Sequence, residues 1–194
     1  MSLQLTPGRM AAFSDGVIAV IITVMVLDLK VPARDLSDLE ALRKMLPMLV
    51  IYALSFVEVG IYWVNHHYIV DEVEQVSHGL LWANLSLLFT LSFIPFGTAW
   101  IGERGVTPFS VSIYSICCAL PAASWMVLSA FVRHRNPMRL GSSRIKQAIS
   151  SVLYLGVIPV SRRSLGSALL MLVAVAVLWL IPPRRVWEMT RTKR

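Results

Sequence analysis

The chain has 194 residues, 56% of them hydrophobic and 15% charged, where soluble domains run at about 45–50% and about 25%. The apolar residues fall in blocks long enough to cross a bilayer, for which about 20 are needed, so an ordinary soluble domain is excluded. The formal net charge is +7, but the basic residues lie between or after the apolar blocks; they read as loop anchors, and no nucleic-acid partner is expected.

Thr6-Pro7-Gly8 opens the first predicted span, 8–30. Threonine caps a helix and proline suits its first turn, while Val31-Pro32 stops it. Ser37-Asp38-Leu39-Glu40 has capping-box spacing and opens a helix whose membrane part runs over 47–67. The third span is 80–101, with Asn84-Leu85 early and Pro95-Phe96 late. Thr107-Pro108 opens the fourth, 108–131. A short fifth covers 145–160 and a sixth 164–182, ended by Pro182-Pro183; a basic tail, 183–194, follows. The expected fold class is an all-α membrane protein, a single domain over 1–194 with six transmembrane helices. Cys117 and Cys118 are neighbours, point apart on a helix and read as small buried hydrophobes. No signal-peptide cleavage site is recognisable near the N-terminus.

With six spans both termini share one side of the membrane. That side carries 11 Lys and Arg residues and the other side 7, so both termini are expected in the cytoplasm.

Asp15 lies one to two turns into the first span. A carboxylate at the bilayer centre costs about 2.5–3.5 kcal/mol, and such groups face the bundle interior. Ser14 and Asp15 are therefore expected to point at other helices, with Arg9, Asn65, His66, His67 and Asn84 as candidate partners. A lock between helices and direct ion coordination are both open readings. Gly16 lets a neighbouring helix come close. Further along, Phe13, Gly16, Val20, Val24 and Leu27 share a face, with Thr23 at its edge. Such a stripe is either an ordinary packing seam or, around a symmetry axis, a pore lining that gates by dewetting.

Glu58 is the second acid within a span; a polar group on another helix is its natural partner, and the sequence does not say which. His67 and Asp71 are spaced i, i+4, but with His66 they make too few ligands for a metal site, and no metal or cofactor is expected. Asp71, Glu72 and Glu74 form a solvated acidic loop or a cation-gathering pore mouth. Trp63, Trp82, Trp100, Trp125, Trp179 and Trp187 fall mostly near span ends, where tryptophan anchors at the interface. Neither a Ser-His-Asp set nor a Gly-rich nucleotide loop is present, so the chain is not expected to be an enzyme.

Arg9-x-x-x-Phe13-Ser14-Asp15-Gly16, continuing into Thr23 and Leu27-Asp28, resembles the signature of the prokaryotic members of the transmembrane protein 175 family. Tyr62-Trp63-Val64-Asn65-His66-His67, and Asn84-Leu85 through Pro95-Phe96, are similar to further motifs of that family. Its members are potassium-permeable leak channels related to a lysosomal potassium channel of animals. The resemblance implies a homotetramer of six-helix subunits in the cell membrane of a prokaryote, passing potassium ions. It implies a central pore lined by the first helix, without a TVGYG-type filter loop, and this sequence has no such loop. Val20, Val24 and Leu27 match the constriction and Thr23 the pore threonine. The family usually has Ile or Leu where this chain has the smaller Val20. Arg9, Phe13, Ser14 and Asp15 match residues that knit the helices together, with Asn65, His66 and His67 supplying partners. The alternatives are a proton-coupled cation transporter using Asp15, Glu58 and the histidines, and a non-conducting membrane scaffold.

Overall fold

The computed structural model describes residues 6–30, 37–135 and 143–180. Every element among them is helical. Val31-Pro32, Pro182-Pro183, Trp187 and the basic tail lie outside the described residues.

Helix α1, Pro7–Val24, starts where the Thr6 hydroxyl accepts the Arg9 backbone N–H at 3.4 Å, with Pro7 in the first turn. It continues as a 3-10 turn, Met25–Asp28. Helix α2, Asp38–Val70, opens on the expected Ser37–Glu40 pair: the Ser37 backbone N–H (3.1 Å) and hydroxyl (2.6 Å) both donate to the Glu40 carboxylate. Its 33 residues make a rod of about 50 Å, longer than the roughly 30 Å hydrocarbon layer.

The third span is broken in two, α3 His78–Leu91 and α4 Phe93–Arg104, with Ser92 between them. Pro95 causes the break: it has no N–H to offer the Leu91 carbonyl, and its ring crowds that oxygen. The Ser92 hydroxyl donates to the Phe89 carbonyl at 2.6 Å at this break. Gly105, at φ 75°, ends α4 in a conformation that favours glycine. Helices α5 Pro108–Arg135, α6 Ser143–Ser161 and α7 Leu165–Leu180 complete the order. The structure thus has the six-helix layout, with the third helix kinked.

The stretches 7–28, 38–70, 78–104 and 108–133 are long and apolar enough to cross a membrane, whereas apolar α7 has only 16 residues. Helix α5 packs on α3, α4, α6 and α7, and α1 lies on α2 and α3. One core joins Ile18 and Ile21 of α1 and Met25 of the turn that follows it to Val59 of α2, Leu87 and Leu91 of α3, and Trp125 of α5. The other joins Tyr114 and Cys118 of α5 to Tyr154 and Val157 of α6 and to Leu172 and Val175 of α7. Trp125 is no interfacial anchor: it is 5% exposed and stands edge-on to Tyr62, ring centroids 6.1 Å apart. Gly97 brings α4 hard against α5, since a Cβ there would meet the Cys117 Cβ at 3.1 Å and the Tyr114 Cα at 3.3 Å.

Candidate functional site: the first helix and its polar anchors

Helix α1 has two faces. Met10, Ser14, Ile18, Ile21 and Met25, spaced at three and four residues, are buried against the rest of the subunit. The other face carries Phe13, Gly16, Val20, Thr23, Val24 and Leu27, all exposed in the single subunit. Val20 is 59% and Leu27 76% exposed, among the most open large apolar side chains of the chain. Thr23 is no free hydroxyl on this face, because its Oγ1 donates back to the Ala19 (2.9 Å) and Val20 (3.1 Å) carbonyls. Its methyl group and the aliphatic side chains around it make the stripe apolar throughout.

Ser14 sits on the buried face. Its hydroxyl donates to the Met10 carbonyl (2.9 Å) and accepts from the Asn84 amide nitrogen (2.9 Å). The Asn84 oxygen then faces His66 Nε2 at 2.7 Å, so that ring nitrogen carries the proton. The line of bonds runs His66 to Asn84 to Ser14 to Met10 and joins α2, α3 and α1. All three side chains are buried, and every bond has a donor and an acceptor in the right sense. In a low-dielectric interior such a line fixes the helices strongly, because any break leaves a buried group unpaired.

Asp15, one residue on, lies at the subunit surface. Trp63 of α2 donates its indole N–H to Asp15 Oδ1 at 3.0 Å. Ser14 and Asp15 thus tie α1 to its neighbours on two sides, one buried and one exposed. The other sequence-identified residues stand apart from these ties. Asn65 donates to the Ile61 carbonyl of its own helix at 2.8 Å. His67 Nε2 lies 3.8 Å from Asp71 Oδ2, both exposed. Phe13 and Arg9 are exposed, and among the described residues the Arg9 side chain has no hydrogen bond or ion pair. Sequence reasoning missed Trp63 as the partner of Asp15. The available signal was its place beside the polar run Asn65-His66-His67, an odd site for a mere interfacial anchor.

Near the other end of α1, Lys30 Nζ donates to Glu103 Oε1 at 2.6 Å, both side chains well exposed. The Glu103 carboxylate raises the Lys30 ammonium above the ordinary lysine value. The bridge holds the end of α1 to the end of α4.

A family model described as the endosomal/lysosomal potassium channel TMEM175 matches residues 9–95, the stretch that holds Ser14, Asp15, Trp63, His66 and Asn84. A protein of Chryseobacterium sp. (strain P1-3) named a potassium channel is 38% identical over 187 residues, 94% of this chain and 96% of that one. Another named a potassium channel, from Streptomyces collinus, is 35% identical over 127 residues, 62% of each chain. Among solved structures, the crystal structure of a lysosomal potassium-selective channel TMEM175 homolog from Chamaesiphon minutus superimposes with a TM-score of 0.76 at 26% identity, over 90% of this chain and 96% of that one. A motif at the start of α1, the six-helix layout and relatives spanning nearly its whole length agree: the chain belongs to the TMEM175 family of membrane channels.

Proposed function

We propose that the protein is a potassium-permeable leak channel, a homotetramer in the prokaryotic plasma membrane with both termini cytoplasmic. The observation that carries this is the two-faced first helix. One face is bolted to the subunit by Ser14 and a row of buried apolar side chains; the other leaves Phe13, Gly16, Val20, Val24 and Leu27 exposed among the described residues. Four copies of that face around an axis form a narrow apolar pore with rings at Val20, Val24 and Leu27. Water leaves such rings readily, so passage is controlled by dewetting. Thr23 adds its methyl and turns its hydroxyl back to the helix. Ions are the cargo, and no cofactor takes part. The relatives named as potassium channels support the choice of ion, and the excess of basic residues on the terminal side supports the orientation.

The deciding experiment is reconstitution of the purified protein in liposomes, with potassium and sodium fluxes measured under matched gradients. The expected result is a potassium flux that reverses at the potassium equilibrium potential. Saturable flux driven by a proton gradient would mean a transporter, and no flux under any ion gradient would mean a scaffold; either outcome sinks the channel reading.

A further inference from the structure

Glu58 stands outside the polar anchors of α1. It is 5% exposed, in the middle of α2. The Tyr154 hydroxyl of α6 donates to Glu58 Oε1. No cation faces it among the described residues. The titratable groups around it are neutral ones: Tyr62 on its own helix, Tyr114 and Cys118 on α5, and Tyr154 on α6. Helix α7 brings Trp179, which is not titratable, and Lys146 of α6 turns its ammonium to the Leu178 carbonyl and the Trp179 ring. A bare buried carboxylate is very costly and is kept only when it is paired, hydrogen-bonded or neutralised. One hydroxyl donor does not meet that need.

The same residue lines a cavity between α2, α5, α6 and α7. Its walls include Glu58, Tyr62, Trp125, Gln147, Tyr154 and Trp179, around a cavity volume of about 20 Å³. The Trp125 indole N–H is buried there without a partner. A cavity that holds a carboxyl group and an orphaned donor suits a water molecule, which needs two or more polar partners.

We propose that Glu58 is a proton-binding site, loaded and emptied through this cavity, whose occupancy sets how firmly α2 is held where it meets α7 and the Tyr154 hydroxyl of α6. The step is a simple acid dissociation. The carboxyl O–H bond breaks, the electron pair stays on Glu58, and the proton passes to cavity water and on to bulk. With the proton on, the four-helix junction is neutral throughout. With it off, a single uncompensated charge lies in that junction, draws in water and loosens it. Trp63, which bonds Asp15 of α1, and His66, which reaches α1 through Asn84 of α3, lie one and two turns further along α2, about 7.5 and 12 Å at helical rise. The packing of α2 therefore reaches the pore-side helix directly.

The test is infrared difference spectroscopy of the purified full-length protein in liposomes as pH is stepped. The expected result is a carboxylic C=O band, sensitive to deuterium exchange, that bleaches on alkalinisation and is lost in Glu58→Gln. A pH-dependent band unchanged in Glu58→Gln overturns the proposal. So does a Glu58 signal that follows an exchange of sodium for potassium and ignores pH, which marks a metal-cation site instead. Tyr154→Phe keeps the carboxyl group and removes its hydrogen-bond donor, so the band must persist at a shifted frequency; an unshifted band excludes Glu58 as its source even if Glu58→Gln does not fold. Only the consequence for flux rests on the channel reading. There, Glu58→Gln is expected to lose whatever pH dependence the wild-type potassium flux has, and retention of that dependence breaks the link from Glu58 to the pore. The infrared measurement needs no flux, so failure of the channel reading and failure of the proton site are told apart.

Discussion

Trp63 Nε1 donates to Asp15 Oδ1 across 3.0 Å, joining two residues 48 apart in the chain at the surface of the subunit. The bond holds the start of α1 by its exposed side while Asn84 holds it by the buried side. Trp63→Phe keeps the ring and removes the donor. A hydrogen bond to a charged group is worth about 1.5–3 kcal/mol, and the exposure of this pair argues for the lower end. Thermal unfolding in detergent is expected to show Trp63→Phe less stable than wild type. Asp15→Asn, which keeps an acceptor oxygen, should lose less. Equal melting temperatures for Trp63→Phe and wild type would show that the bond contributes nothing.

The buried line through Asn84 predicts a larger effect. Asn84→Ala leaves His66 Nε2 and the acceptor side of Ser14 without partners inside the protein. An unpaired buried polar group costs about 1–3 kcal/mol, so the variant should lose roughly 2–6 kcal/mol by the same reckoning for two groups. Ser14→Ala strands only the Asn84 amide and should lose about half as much. A chemical unfolding series on the three proteins gives the order; Ser14→Ala at least as damaging as Asn84→Ala contradicts the bonding sequence described.

These two ties show what was legible in the sequence. The apolar blocks, the caps at Thr6 and Ser37 and the stop signals announce the helices, because helix starts and ends depend on neighbouring residues. The cost of a polar group in a span is local too, and it marked Ser14, Asp15 and Glu58 as needing partners. Which partner each one finds was not legible. Trp63 lies 48 residues from Asp15 and Tyr154 lies 96 from Glu58, and those pairings depend on how helices turn and lean against each other. Periodicity gives the faces of a helix without saying which other face it meets. Trp125 was misplaced for the same reason: its position in the chain suits an interface, but α5 runs through the centre of the bundle. The break at Ser92 was half legible, since Pro95 signals a disturbed helix without locating the bend.

Gly97 supplies a packing prediction. A Cβ at this position would press on the Cys117 side chain and on the Tyr114 backbone, which has no freedom to swing aside. Overpacking of this kind costs about 1–3 kcal/mol. Gly97→Ala should therefore lower the melting temperature, although alanine is the better helix former by about 1 kcal/mol. Gly97→Val should lower it further. A more stable Gly97→Ala would show that α4 and α5 separate easily.

Gly16 makes the opposite case. A Cβ there meets no described atom beyond its own helix within 4 Å, so its environment lies with the neighbouring copies if four first helices surround an axis. Gly16→Val is expected to leave the helical content of the protein intact and to reduce the tetramer fraction, as read by light scattering in detergent. Small residues let membrane helices approach closely, and added bulk keeps them apart. An unchanged oligomer would place Gly16 away from the contact between subunits.

Val20 tests the permeation path itself. Its side chain is 59% exposed in the subunit, on the same face as Val24 and Leu27. A ring of four valines offers water no hydrogen bonds, so a narrow passage there dries and resists ions. Val20→Asn replaces the aliphatic group with an amide of similar size that holds water in the ring. Potassium flux in liposomes should rise several-fold, with less discrimination against sodium, because hydrated passage no longer demands that the ion shed its shell. The same substitution at Phe89, also exposed but on α3, serves as the control and should leave both quantities unchanged. If Val20→Asn, Val24→Asn and Leu27→Asn all conduct like wild type, the exposed face of α1 packs against something other than a pore. The channel would then have to run elsewhere in the bundle.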